Sequence, residues 1–175
     1  SAPTYITIGT FDGVHIGHQK IIQRLVNEAN ERKCESVLLT FFPHPRRVLQ
    51  SETPLQMIST IEERIKVLGK MGLNTLVVQP FTKNFSRISA AEFVRSILVE
   101  QLQVKKMFIG YDHRFGRNRS ADISDLKSYG EIYDFEVFEI SAQEVAEVAV
   151  SSTKIRKALE MGNIERANLY LGNPF

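Results

Sequence analysis

"TIGTFDGVHIGHQK", residues 7–20, decides how this chain is read. An apolar run, "YITIGTF" at 5–11, leads into Asp12 and Gly13, and "HQKIIQRLVNEANER" follows with Ile21, Ile22, Leu25 and Val26 at helical spacing. The stretch is therefore strand, turn and helix. His15 and His18 fall three apart on the first helical turn, on one face, with Cβ atoms ~5–6 Å apart. A helix start offers unsatisfied amide N–H groups and the positive end of the macrodipole, which favour an anion and disfavour protonated histidine. Two imidazoles make sense there as hydrogen-bond donors to an oligophosphate resting on the helix end. Gly9, Gly13 and Gly17 let backbone come close to ligand or sheet. Two other readings stay open: an i, i+3 surface pair with no role, and a transition metal held by Asp12, His15 and His18, for which no third His or Cys stands at a familiar spacing. The phosphate loops G-x-x-x-x-G-K-[ST] and G-x-G-x-x-G are both missing.

Outward from this unit the same alternation repeats. Further β-rich runs stand at 36–42, 74–81, 105–111 and 135–140, and segments with helical spacing at 17–32, 60–71, 90–102, 122–130, 153–161 and 163–170. Most of the runs are near-continuously apolar, as strands covered on both faces must be. Capping boxes are expected at Ser59 with Glu62 and at Ser89 with Glu92, and left-handed helix ends at Gly72 and Gly162. The order predicts an α/β, Rossmann-like, open and mostly parallel sheet with helices on both faces, binding ligands at the carboxyl ends of its strands.

Three more stretches carry chemistry. "VSSTKIRKAL" at 150–159 places Lys154, Arg156 and Lys157 at a helix start, where the dipole disfavours cations unless a polyphosphate is bound; Thr153 and Arg156 are the expected ligands, while Ser151 and Ser152 could equally be plain caps. "FFPHPRRVL" at 41–49 reads as a stiff loop, because Pro43 and Pro45 fix their own φ and Pro45 holds His44 extended. It displays one imidazole to a flat ring, or is a turn with two solvated arginines. "GYDHRFGRNRSAD" at 110–122 sets Asp112 at a strand end and Arg114, Arg117 and Arg119 around Phe115, as a mobile phosphate-side loop or a solvated surface. All four histidines, 15, 18, 44 and 113, lie in these stretches at strand carboxyl ends, so one cleft could collect them.

Composition narrows the partners. With 22 Lys and Arg against 20 Asp and Glu among 175 residues, a net +2, no general field draws the chain to nucleic acid or membrane. No apolar stretch approaches the ~20 residues of a bilayer span, and no secretory signal is visible. One cysteine, Cys34, excludes an internal disulfide and fits a reducing compartment, so a cytoplasmic location is expected. The "SAP" start and "LGNPF" stop suggest one domain, 1–175, of a longer polypeptide.

"IGTFDGVHIGH", "FFPHP", "IGYDHRFG" and "VSSTKIR" resemble, in order and spacing, the four signatures of the FMN adenylyltransferase (FAD synthetase) module of bacterial bifunctional riboflavin kinase/FMN adenylyltransferases, of the HxGH nucleotidylyltransferase superfamily. Class I aminoacyl-tRNA synthetases share the "HIGH" but need a longer chain and a lysine-rich loop absent here. The resemblance implies AMP transfer from ATP to FMN, giving FAD and pyrophosphate, with Mg²⁺ held through the phosphates rather than by a protein metal site. It also implies catalytic roles for His15, His18 and Arg156. Gly9, Phe11, Asp12, His15, Gly17, His18, Ser152, Thr153 and Arg156 would bind ATP, and Pro43, His44, Pro45 and Asp112 would lie toward the flavin. Two positions depart from the pattern: relatives often carry an acid at Phe42 and an aromatic at His113, which changes the flavin contacts expected there. The riboflavin kinase domain is expected to be absent, with "YLGNPF" near the point where it would begin. Competing readings are a related transferase with another acceptor, such as pantetheine phosphate, nicotinamide mononucleotide or glycerol phosphate, and a non-catalytic flavin-nucleotide binding module.

Overall fold

The strand–turn–helix units assemble around one sheet. A computed structural model describes residues 2–175, so the Ser1 of the abrupt start lies outside the described residues. Strands β1 (Thr4–Ile8), β2 (Glu35–Phe42), β3 (Thr75–Pro80), β4 (Val104–Gly110) and β5 (Glu136–Ile140) all run parallel in the order β3-β2-β1-β4-β5. The five expected strands are all present, and the sheet is parallel throughout. Its two faces follow from residue parity. Ile6 and Ile8, Val37 and Leu39, and Met107 and Ile109 share one apolar cluster, while Leu38 and Phe108 belong to another. Successive strand residues point to opposite faces, so both faces must be covered.

Helices α1 (Ile16–Glu31) and α3 (Ile61–Lys70) cover one face with Ile22, Leu25, Val26 and Leu68. The other face takes Phe93, Val94, Ile97 and Leu98 of the helix that begins as α4 (Ala90–Glu92) and continues in π-helical turns over Phe93–Gln101. Leu126 of α5 (Ile123–Tyr133) joins the same face. A smaller cluster packs Ile58 against Ile155 and Ala158 of α7 (Ser152–Glu160) and Ala167 and Leu171 of α8 (Ile164–Leu171). This packing brings the chain's last helices to the carboxyl end of its first strand.

Local signals hold with a few differences. Gly72 and Gly162 take φ 84° and 71°, as their helix-end positions require, while of the box expected at Ser89 and Glu92 one half forms, the Ser89 hydroxyl accepting the Glu92 amide at 3.1 Å. The capping box expected at Ser59 and Glu62 forms one residue later: Thr60 accepts from the Glu63 amide, and Glu63 accepts from the Thr60 amide. Ser59 is displaced from capping because Asp12 engages it. Two helices were not expected. In α2 (Pro45–Leu49), Pro45 opens a helix instead of stiffening a loop, and α6 (Ala142–Val148) begins at a Ser141–Glu144 capping box.

The chain runs from β1 outward to β3 and then returns to β4 on β1's other side, so the order reverses between β1 and β4. Ligands of such sheets settle outside the carboxyl ends of the strands at this reversal. The loops there are 9–15 after β1 and 111–122 after β4, with 43–44 after β2 alongside.

Candidate active site

Asp12 is the hub of the site, and it is buried. Its side chain, in a residue 1% exposed, accepts the Ile58 amide on both oxygens at 3.0 Å, the Ser59 amide at 3.0 Å and the Ser59 hydroxyl at 3.3 Å. Arg156 completes the set through Nη2 at 2.5 Å, from 144 residues further along the chain. The Ser152 hydroxyl donates to the Asp12 carbonyl at 3.1 Å, and the Arg156 Nε–H to the Gln56 carbonyl at 2.8 Å. The first and last motifs are thereby joined through one carboxylate. Asp12 was expected to hold ATP; in this structure its oxygens are engaged by the protein's own donors.

The turn carrying Asp12 is strained. Phe11 and Val14 take φ 49° and 42°, left-handed values that a bulky or β-branched residue rarely adopts. Each costs about 1–3 kcal/mol and persists because the surroundings over-determine it. Gln19 holds Val14 by donating to its carbonyl and to that of Leu171, each at 2.9 Å. Gly13 turns at φ 81°, and a Cβ there would stand 2.9 Å from Ile58 Cγ2. A Cβ on Gly9 would meet the Phe11 ring at 2.8 Å.

His15 sits one step outside the helix. It is the N-cap of α1, and its Nδ1 accepts from the Gly17 and His18 amides at 3.1 and 3.2 Å. Those amides are engaged by the cap, so an oligophosphate at this helix end would meet the imidazoles before the Gly17 and His18 amides. Because Nδ1 accepts, the ring proton lies on Nε2, the remaining donor. Burial brings His15 down to about 4, so the ring is neutral near pH 7. His18 stacks between His15, at 3.6 Å between centroids, and Phe11, at 4.4 Å. Burial, then the neighbouring His15, hold its pKa well below the usual value, and its buried Nδ1 has no hydrogen-bond partner.

His44 repeats this device at the start of α2, where Nδ1 accepts the Arg46 amide at 3.1 Å. Burial, followed by the charge of Arg156, lowers it to about 4. Pro43 is exposed and Pro45 half-buried at the first turn of that helix. The expected union of four histidines is realised for three. The charge of Asp12 acts on His15 and His44, and that of Arg64 on His18 and His44. His113 stacks beside Phe115, its pKa lowered chiefly by burial, with Asp112 and Arg119 as its charged neighbours. Asp112 is exposed at the end of β4, and Thr153 is exposed on the first turn of α7. Ser151 is the cap of that turn, accepting the Lys154 amide at 3.3 Å.

Sequence reading missed Arg64. Its guanidinium, in a residue 3% exposed, donates to the Thr10 carbonyl at 2.8 Å and to the Ser59 and Thr60 carbonyls at 3.4 Å. The signal was a charged residue on the inner face of α3, one turn before Leu68 and between it and Ile61. A cleft of about 530 Å³ opens beside it, lined in part by Gly13, Val14, Ser59 and Arg64, and Arg156 lines a second of about 250 Å³. His15, His18 and His44 are absent from the linings of these two clefts; the tie between the histidines and Arg156 runs through Asp12, whose charge acts on His15 and His44 and whose carboxylate holds Arg156. Among the described residues no group of three or more His, Cys, Asp or Glu is placed to hold a metal, and Asp12 has its oxygens engaged, so the reading of a metal on Asp12, His15 and His18 has no support.

A family model described as FAD synthetase matches residues 1–154. The chain belongs to the FAD synthetase family. Members similar to it include the bifunctional riboflavin kinase/FMN adenylyltransferase of Buchnera aphidicola from Schizaphis graminum, 37% identical over 97% of this chain and 55% of that protein. The protein of the same description from Escherichia coli K12 is 33% identical over 97% of this chain and 54% of its own length. This FAD synthetase family chain thus spans about half the length of the curated relatives it matches. A solved structure titled a macrolide-efflux protein from Streptococcus pneumoniae superposes with a TM-score of 0.82 at 27% identity, over 99% of this chain and 56% of that one. Among the described residues no helix is long and apolar enough to cross a membrane.

Proposed function

We propose that this chain is the part of a bifunctional enzyme that transfers AMP from ATP to FMN, releasing pyrophosphate and forming FAD. The observation that carries the reading is the Asp12–Arg156 pair, which fixes the last motif against the first beside neutral imidazoles at the sheet's reversal point. The phosphate of FMN is already an anion and attacks the α-phosphate without a general base. The protein's share is alignment and stabilisation of charge on the α-phosphate and the departing pyrophosphate.

Neutral histidines suit this task. His15 donates from Nε2 because Nδ1 is committed to the helix cap, and His18 meets the phosphates from the ring edge opposite its buried Nδ1. Arg156 has spent Nε–H and one Nη2–H, so three of its five donors remain for the β- and γ-phosphates. Thr153, Gly9 and Gly17 complete the ATP side, and Pro43, Pro45 and Asp112 lie toward the flavin. Mg²⁺ carried on the ATP phosphates would supply charge neutralisation there; Asp12, whose oxygens are engaged by Ile58, Ser59 and Arg156, would not be among the groups that hold it. The charge of Arg156 reaches His44, which supports a role for this imidazole between the flavin and the phosphates.

Chromatographic detection of FAD from FMN, ATP and Mg²⁺ tests the reading, with riboflavin plus ATP as the negative control. Absence of FAD and of pyrophosphate release overturns it. A His44→Ala protein should raise KM for FMN more than for ATP; an equal rise moves His44 off the flavin side.

A further inference from the structure

Two guanidinium groups surround the buried carboxylate of Asp12. Arg156 bonds to it, whereas Arg64 bonds to the carbonyls of Thr10, Ser59 and Thr60. Carbonyl dipoles orient a buried cation and leave its full charge in place. With His15 and His44 neutral, the turn holds two positive groups against one negative. Glu62 and Glu63 lie on the exposed first turn of α3; Glu62 acts on Arg64 from there, weakened by the water and salt around it, and Glu63 is tied into the capping box. The surplus is one that an oligophosphate would neutralise. The geometry adds a second role. Thr10 follows β1, Ser59 and Thr60 precede α3, and Asp12 is held between these two walls by the Ile58 and Ser59 amides. One planar group spans both walls, bonding three carbonyls from three different nitrogens.

We propose that Arg64 is a positioning residue for adenylyl transfer: its guanidinium locks the turn after β1 to the start of α3 and supplies the uncompensated charge that draws an oligophosphate to that turn. The inference rests on the adenylyl-transfer reading for its kinetic half and on anion binding alone for its electrostatic half.

The test compares Arg64→Met and Arg64→Lys with the parent protein, by steady-state kinetics and by the thermal shift that pyrophosphate with Mg²⁺ produces. Arg64→Met should lower kcat by about tenfold to a hundredfold, as misplacement of reacting groups does, with KM for FMN within about twofold. It should also lose more than half of the pyrophosphate shift. Arg64→Lys keeps the charge and should keep that shift, yet remain several-fold low in kcat, because an ammonium cannot bridge the three carbonyls as a planar fork does. A purely structural residue would lower the melting temperature of the free protein and leave kcat and the shift intact in whatever remains folded. The proposal is overturned by a folded Arg64→Met with parental kcat and full shift, by an Arg64→Lys with parental kcat, or by a parent protein that pyrophosphate does not stabilise. If Arg64→Met does not fold, Arg64→Lys decides by the same criterion. If the parent forms no FAD, the pyrophosphate shifts of the three proteins still decide the electrostatic half, so the two failures are distinguishable.

Discussion

The turn after β1 and the loop after β4 flank the same reversal point and are held in opposite ways. The turn, 9–15, is fixed by polar groups: Asp12 is buried and saturated with donors from residues 58, 59 and 156, and the His15 ring closes the helix start. The loop, 111–122, is fixed by an apolar plug. Phe115 sinks into the core against Phe93, pairs its backbone with Ala121, and is followed by Gly116, where a Cβ would stand 2.8 Å from the Ala90 amide. Its polar residues, Asp112, Arg117 and Arg119, stay in water. The loop expected to be mobile is therefore anchored at its middle. A buried polar network sets geometry at the expense of tolerance, since each member leaves another unpaired when lost; an apolar plug sets position and leaves the rim free to vary.

The contrast breaks most visibly at its two centres. Asp12→Ala should destabilise the protein by about 3–5 kcal/mol in urea titrations and abolish FAD formation, because Arg156 and two amides lose their partner together. Phe115→Ala should cost a similar ~3–5 kcal/mol as a core truncation, while FAD formation in the remaining folded fraction survives. A Phe115→Ala protein that is folded but inactive would mean that the plug also sets catalytic geometry. His18→Ala should lower kcat by roughly 10²-fold, the size usual for one donor to a transition state; parental FAD formation would remove it from the phosphates.

Acid sharpens the comparison further. His15 and His44 titrate near 6.5 when unfolded and near 4 in the native protein, so the unfolded chain binds protons first as pH falls. Stability should accordingly be full above about pH 6.5 and be lost progressively down to about 4. His44→Asn, which retains a capping acceptor, should flatten that slope in urea midpoints measured across the range. Smallest of all, Arg117→Ser with Arg119→Ser should leave the melting temperature unchanged, since both side chains are exposed.

The sequence made the sheet legible because a parallel strand covered on both faces must be apolar throughout, and "SVLLTFF" or "KKMFIGY" has few other uses. It also brought forward the motifs that the fold gathers around Asp12. What it could not display were long-range polar partners. Ser59 and Thr60 are both competent caps, and the choice between them is made by Asp12, 47 residues earlier than Ser59. His15 reads as a ligand and acts first as a cap, because only the backbone angles reveal which residue stands just outside the helix. Arg64 is silent for the same reason: its shortest carbonyl bond goes to Thr10, in a turn 54 residues away. The helix at 142–148, by contrast, was announced by "SAQE" and could have been read.

The distance along the chain between Asp12 and Arg156 bears on how the protein is made. During synthesis at about 5–20 residues per second, roughly 7–30 seconds separate the emergence of the carboxylate from that of its cation, 144 residues later. Until then β1 and α1 can dock, yet an anion in their turn still lacks its counter-charge. The turn after β1 therefore reaches its final electrostatic balance only once α7 has been made.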